Sequence, residues 1–361
     1  MQPDLMLNTE AIRRWTYELW RAAGSCADEA RITADHLIEA NLSGHDSHGL
    51  SVVPGYVRSL MSDQLQLNQR ISIETDTGSL LVVNGNRGMG QSIAAQTMTL
   101  AIERARQHGV AIVGLKESHH IGRVGHWAEQ AISAGMASVH FTNVVSRPLV
   151  APHGGAQARL GTNPLTVGLP RRDAPPILLD FATSAIAVGK IRVAYYKKVA
   201  APEGVLLDAA GHPTTDPAVM YEEPLGALLS AAGHKGYALG LVCDLLGAAL
   251  FGGNTPLPEH LRKNGMYNNM LVIVFDPARF GALDHYERET EAFVEYVRSS
   301  RRLRAAEDIL LPGDAERRYR SARAQALPID AGTVALLDQA AESINRLRGT
   351  RVGPASSTVA Q

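Results

Sequence analysis

Apolar positions in the first 45 residues recur at helical spacing. Ile12, Trp15 and Leu19 share one face, with Asn8 placed to cap the start. A second run brings Ala30, Ala34, Leu37 and Ile38 together and ends near Gly44, and Pro54 interrupts the chain soon after. From about residue 70 the period changes. Residues 80–83 read as a short apolar strand, 93–106 as a helix stopped by Gly109, and 110–115 as a strand. A helix over 127–134 and strands over 137–142 and 177–180 follow. Residues 235–250 form a long apolar helix and 270–275 a wholly apolar strand, before helical spacing returns in 290–298 and 334–347. Strands alternating with helices predict a layered α/β core. Residues 199–224, rich in Pro and Gly, read as an ordered irregular loop, and the small polar residues from Gly349 onward as a disordered tail.

Composition narrows the class. The chain has 361 residues, 45% hydrophobic and 20% charged, which is enough for one large core or two compact units. Net charge is −1 and neither half holds a block of Lys and Arg, so no nucleic-acid partner is expected. The two cysteines, Cys26 and Cys243, lie too far apart in sequence for a disulfide framework or a zinc ribbon, and Cys243 sits in an apolar helical run that buries it. The N-terminus lacks the basic and apolar regions of a secretory signal. The most apolar run, 236–251, is too short for a bilayer and carries Asp244 midway. The expectation is a cytoplasmic protein without a membrane partner.

One glycine cluster invites a misreading. Gly85, Gly88 and Gly90 follow a strand and open a helix, but their spacing is G-x-x-G-x-G, and no acidic residue ends the next strand. The Rossmann fingerprint needs both features, so this turn is read as close helix–strand packing.

Two histidine motifs carry more chemistry. In Asp46-Ser47-His48-Gly49, Ser47 offers a hydrogen bond and Gly49 a close backbone approach, although a capping cluster of Asp46 and Ser47 has the same pattern. His45 and His48 lack a Cys or carboxylate to complete a metal set, so no metal is expected. In Ser118-His119-His120-Ile121-Gly122-Arg123 the histidines end a strand, where α/β sheets bind ligands, and an imidazole there suits proton transfer near neutrality. Arg123 adds a planar cation suited to a carboxylate, or else a surface ion pair. Gly161-Thr162-Asn163-Pro164 and Asp180-Phe181-Ala182-Thr183-Ser184 are polar turns beside strands. Gly233-His234-Lys235-Gly236-Tyr237 opens the long apolar helix, where backbone N–H groups and Lys235 suit a phosphate. Leu310-Leu311-Pro312-Gly313-Asp314 either lines the same ligand or is a turn between helices.

In order and spacing, these strings resemble the malate/L-lactate dehydrogenase family that does not use the Rossmann fold, over roughly residues 8–340. Gly44-His45-Asp46-Ser47-His48-Gly49, the 118–123 string, Ala182-Thr183-Ser184-Ala185-Ile186-Ala187, Pro213-Thr214-Thr215 and His234-Lys235-Gly236-Tyr237 particularly resemble its hydroxycarboxylate dehydrogenase branch. The resemblance implies a non-Rossmann α/β fold with a mixed sheet. It places a helical portion in 1–70 plus 285–348, an NAD(P)-binding and catalytic core in 71–284, and the tail in 349–361. It implies a homodimer and NAD or NADP held extended, with NAD favoured. Catalysis falls to His48 and His120, with Ser47 beside them. Cofactor contacts fall to His48, Gly122, Arg123, Val124, Thr162, Asn163, Asp180, Phe181, Ala182, Thr183, Ser184, His234, Lys235, Gly236, Gly313, Asp314, Ala315 and Glu316.

One departure bears on substrate. The family pattern has an arginine four residues after the first catalytic histidine, and this chain has Val52. Arg123 is expected to replace it as carboxylate clamp, with Tyr56 as a second substrate contact and Val52 and Val53 admitting a bulkier side chain. The expected reaction is hydride transfer between nicotinamide and C2 of a 2-hydroxy or 2-oxo acid. His120 would act as proton donor and His48, its tautomer set by Ser47, would orient; the two roles remain interchangeable. Alternatives are a cyclic imino acid reductase on the same fold, a ligand-binding relative that has lost catalysis, and a metal hydrolase.

Overall fold

The computed structural model describes residues 4–304 and 307–360. Its centre is a seven-stranded sheet in the order Ser72–Asp76, Leu80–Asn84, Val110–His119, Tyr267–Phe275, Ala137–Val145, Leu165–Leu169, Ile177–Phe181. All neighbours are antiparallel except Leu80–Asn84 with Val110–His119, so the sheet is mixed. A parallel pair needs a crossover, and the helix Gly90–His108 supplies it, ending on Gly109 at φ 85°. Alternation along Val110–His119 turns Ala111, Val113 and Leu115 toward Ile93, Met98 and Ile102 of that helix. Gly114 points the other way, where a Cβ would stand 2.5 Å from the Phe251 ring. The helix His234–Gly247, which leads into Phe251, therefore covers the opposite face.

Both chain ends build the helical portion. Thr9–Ala23, Ala27–Leu42, Val53–Met61 and Ala331–Arg348 pack around Trp20, Leu37, Tyr56, Leu337 and Ile344. Each such buried side chain contributes about 1.5–3 kcal/mol. Asn8 accepts a hydrogen bond from Ala11 N and caps the first helix as expected. The strand Leu5–Asn8 pairs antiparallel with Ala326–Ile329, tying the first residues to the last helix.

Several local expectations change. Pro54 does not break the chain; it occupies the first turn of Val53–Met61, where its missing N–H has no helical partner to lose. Residues 199–224 contain two short strands, Leu206–Leu207 and Pro213–Thr214, which join Ala227–Leu228 in a small sheet. The segment after Gly349 is not a disordered tail. Gly353 O accepts from Trp15 Nε1 at 2.7 Å, and Ala360 N donates to Met6 O at 2.7 Å. Its small side chains hide a segment held mainly by backbone bonds. The helix Leu283–Arg298 lies apart from the terminal helices, against the 165–181 hairpin: the Tyr286 phenol donates to Pro170 O at 2.8 Å, and Arg172 pairs with Glu287 at 2.7 Å.

Candidate active site

The two histidine motifs, 72 positions apart, meet in space: the rings of His48 and His120 stack with centroids 5.6 Å apart and planes 21° from parallel. The first sits in a short 3₁₀ turn, Asp46–His48, held by its neighbours. Asn41 Nδ2 donates to the Asp46 carboxylate at 2.7 Å, Arg323 does so at 2.8 Å, and Asn41 Oδ1 accepts from Leu50 N at 2.8 Å. Asp46 is thus the structural member of its motif. Ser47 Oγ lies 2.9 Å from His48 Nδ1. From the far side Gly189, in the first turn of helix Val188–Lys197, presses on Ser47 so closely that a Cβ would stand 2.4 Å from the serine Cβ.

His120 follows the end of strand Val110–His119. Its Nδ1 is 2.6 Å from the phenolic oxygen of Tyr56, which receives a hydrogen bond from Gln91 Nε2 at 3.0 Å. The 85–90 glycine turn lies directly beneath. His119 N donates to Gly88 O at 3.2 Å, and a Cβ on Gly90 would stand 2.0 Å from His120 O. Those glycines therefore let the crossover helix start against the histidine backbone rather than against a phosphate. Behind the next residues, Ile121 N donates to Asn268 Oδ1 at 2.9 Å, and His36 Nε2 lies 3.2 Å from Arg123 O.

Electrostatics keep these imidazoles neutral. Burial, then neighbouring His45, pushes His48 down to about 4. Burial, reinforced by His48 and His119, holds His120 well below its ordinary range. His119 is pushed to about 3 by burial alone; neither of its ring nitrogens has a hydrogen-bond partner among the described residues. The Tyr56 phenol is raised by burial and stays protonated.

The other expected site residues form a connected line. Asp180 Oδ2 accepts from Gly125 N at 2.9 Å and Oδ1 from Thr166 Oγ1 at 2.8 Å. Thr183 N and Oγ1 both donate to Thr162 O, at 3.0 and 3.1 Å, and Ala231 N donates to Thr183 O at 2.9 Å. That bond joins the 180–184 turn to the Gly233–Gly236 turn, where His234 and Lys235 are exposed and no side chain caps the helix. At the other end, Leu178 N donates to Pro312 O at 3.1 Å beside Gly313, and Glu316 Oε1 lies 3.2 Å from His45 Nε2. Gly122 and Val124 flank Arg123, Phe181 is partly exposed, Ser184 Oγ donates to Ile186 O, and Ala315 is exposed next to Asp314.

Three expected residues point inward. Asn163 is fully buried; its amide nitrogen donates to Gly240 O at 3.0 Å and to Asp244 at 2.7 Å, and its oxygen accepts from Val144 N at 3.2 Å. Tyr56, expected against substrate, places its hydroxyl on His120. Arg123, expected as a carboxylate clamp, has its charge balanced from within: Glu129 at 3.0 Å and Asp180 at 3.4 Å, with Arg320 also on Glu129 at 2.6 Å. Gln91, His36 and Glu129 escape sequence reading: His36 and Glu129 lie on helices outside the motif strings, and Gln91 follows a glycine cluster whose pattern signals only close packing.

The family of malate/L-lactate dehydrogenases matches residues 7–338 of this chain. The chain belongs to it. Hydroxycarboxylate dehydrogenase B of Escherichia coli strain K12 is 46% identical over 347 residues, covering 95% of this chain and 96% of that protein. A solved E. coli structure superposes with a TM-score of 0.92 at 44% identity, covering 99% of each chain. The delta1-piperideine-2-carboxylate reductase of Pseudomonas syringae superposes with a TM-score of 0.80 at 29% identity, over 94% of this chain and 99% of that one. Membership accounts for the mixed sheet and for helices drawn from both ends. No helix among the described residues is long and apolar enough to cross a membrane.

Proposed function

We propose that this protein is an NAD(P)-dependent oxidoreductase interconverting a 2-hydroxy acid and its 2-oxo acid. The stacked His48–His120 pair, beside the line of turns from Gly313 to His234, carries the reading. The donor set fits an extended dinucleotide. Exposed His234 and Lys235 at an uncapped helix start suit the diphosphate. The 180–184 turn and residues 122–124 suit the nicotinamide end, with the 313–316 turn on the same side, where Glu316 reaches His45 at 3.2 Å. When bound, the nicotinamide supplies hydride exchange at C2.

The chain's own residues handle the proton. His120 exchanges it with the oxygen on C2, and His48, with Ser47 at its Nδ1, orients the substrate. Buried, pre-oriented groups favour the transition state because they need no rearrangement as charge develops. Names of relatives support a hydroxy acid as substrate. The runner-up is a cyclic imino acid reductase, favoured by the likeness to the piperideine-carboxylate enzyme; C=N needs the same hydride geometry. We further propose a cytoplasmic homodimer, with NAD the preferred cofactor. The apolar outer face of His234–Gly247, where Leu241, Val242 and Leu245 are exposed, suits a subunit contact.

The test is oxidation of NADH and NADPH against pyruvate, oxaloacetate, 2-oxoglutarate, phenylpyruvate, hydroxyphenylpyruvate and a cyclic imino acid. Turnover of an open-chain acid supports the dehydrogenase, turnover of the imine alone moves the protein to the reductase, and silence with both cofactors rejects both. His120→Ala should lower kcat by about 10²–10⁴-fold with cofactor still bound.

A further inference from the structure

The Tyr56 hydroxyl touches three groups. It lies 2.6 Å from His120 Nδ1 and 3.3 Å from the same residue's carbonyl oxygen, and it accepts from Gln91 Nε2 at 3.0 Å. Tyr56 is 1% and Gln91 0% exposed, so partners must come from the protein. A phenol has one proton and two acceptor positions. Gln91 fills one of these. If the phenol donated to Nδ1, the His120 carbonyl would lose the donor it has here. If it accepts from Nδ1–H, its second acceptor position is filled and its proton serves that carbonyl. Only the second arrangement uses all three contacts. Turning the Gln91 amide over would put its oxygen on the phenol proton, and Nδ1–H would remain the donor to the phenol.

We infer that Tyr56, held by Gln91, is a positioning residue that fixes His120 as its Nδ1–H tautomer and leaves Nε2 unprotonated as the base that meets substrate. The inference rests on the dehydrogenase reading for what Nε2 does, and on the count of donors and acceptors around the buried phenol for which nitrogen carries the proton. In oxidation the substrate hydroxyl gives its proton to Nε2 while its C2–H bond gives hydride to the oxidised nicotinamide; the imidazolium then releases that proton to solvent. The reverse reaction needs His120 to take up a proton first. Burial opposes this first, and the titratable groups facing His120 supply no anion to offset it: His48 from the 46–48 turn and His119 from its own strand are neutral near pH 7, and Tyr56 from helix Val53–Met61 stays a protonated phenol. Reduction should therefore keep accelerating as pH falls below 7, while oxidation stays nearly level near neutrality.

Histidine ¹⁵N correlation spectra of the full-length protein at pH 8, with His120→Gln identifying the resonance, test the tautomer directly. We expect a protonated Nδ1 and a bare Nε2 in the wild type. Tyr56→Phe keeps the ring contacts with Trp20 and His119. It should populate the Nε2–H form and lower kcat for hydroxy-acid oxidation by on the order of 10- to 10²-fold, with KM little changed. Gln91→Met should do the same more weakly, and serves if Tyr56→Phe does not fold. A wild-type Nε2–H tautomer, or variants with the wild-type tautomer and pH profile, would overturn the inference. Failure to oxidise any hydroxy acid, with Nδ1–H still observed, would count against the proposed reaction and leave the tautomer assignment standing.

Discussion

Gly90 lies so close to His120 that a Cβ at residue 90 would stand 2.0 Å from the His120 carbonyl oxygen and 2.4 Å from that of His119. Both obstacles are backbone, so a methyl group has nowhere to go. Gly90→Ala should lower stability by about 1–3 kcal/mol or more and displace His120 from Tyr56. Gly353→Ala, with nothing within 4 Å of its Cβ, is the matched control. Thermal melts and kcat of the two variants decide; an unaltered Gly90→Ala would mean that the helix start can withdraw from the histidines.

Acid should unfold the protein through its histidines. His36, His48, His119, His120, His126 and His140 are all lowered, with burial the leading cause; His48 and His126 reach about 4, His119 and His140 about 3. Unfolded imidazoles take protons near pH 6.5, the folded ones only far lower, so in between the unfolded state binds more protons and stability falls with pH. One pH unit below 6.5, each imidazole contributes about 1.4 kcal/mol to this loss. Asp244 has the opposite sign: burial raises its carboxyl to about 6, so the folded state takes that proton first and offsets part of the loss below pH 6. The melting temperature should drop steadily from pH 7 to 4. A flat profile between pH 7 and 5 would refute neutral burial.

Arg123→Ala separates two roles. A substrate clamp would show as a raised KM for 2-oxo acids in a protein of normal stability. The ion pairs with Glu129 and Asp180 predict instead a loss of about 3–5 kcal/mol, because buried Asp180 is left without its cation while Glu129 keeps only Arg320. Chemical denaturation together with substrate saturation curves distinguishes the two.

The thiols should differ sharply. Cys243 is buried and its pKa is pushed up to about 12 by burial and then by Asp244, while Cys26 is exposed. A small thiol reagent should label Cys26 alone in the native protein and both cysteines after denaturation. Native labelling of Cys243 would show that the long apolar helix opens.

Where periodicity was strong the chain was legible. Helix 93–106 and strand 110–115 are legible because each buries a regular face, and strand 270–275 because it is apolar throughout; all three run longer in the structure because their ends carry polar residues with tertiary partners. Strand Ser72–Asp76 was missed: it is exposed throughout, so no burial pattern marks it. Helix Val188–Lys197 was missed because its apolar residues serve a small local cluster rather than a continuous stripe.

By itself the sequence determined the α/β class, the helices at both ends and the two histidine motifs, because those rest on local periodicity and on residue types at short spacing; the family was legible as a resemblance of the motif strings. Only the tertiary structure decided which groups face one another. It put His48 on His120, Tyr56 on Nδ1 and Gly90 under the carbonyl, and it turned Arg123 toward Glu129 and Asp180. A hydrogen-bond partner or an ion pair depends on distances of a few ångströms between residues that here lie from six to 72 positions apart, and no periodicity along the chain encodes them.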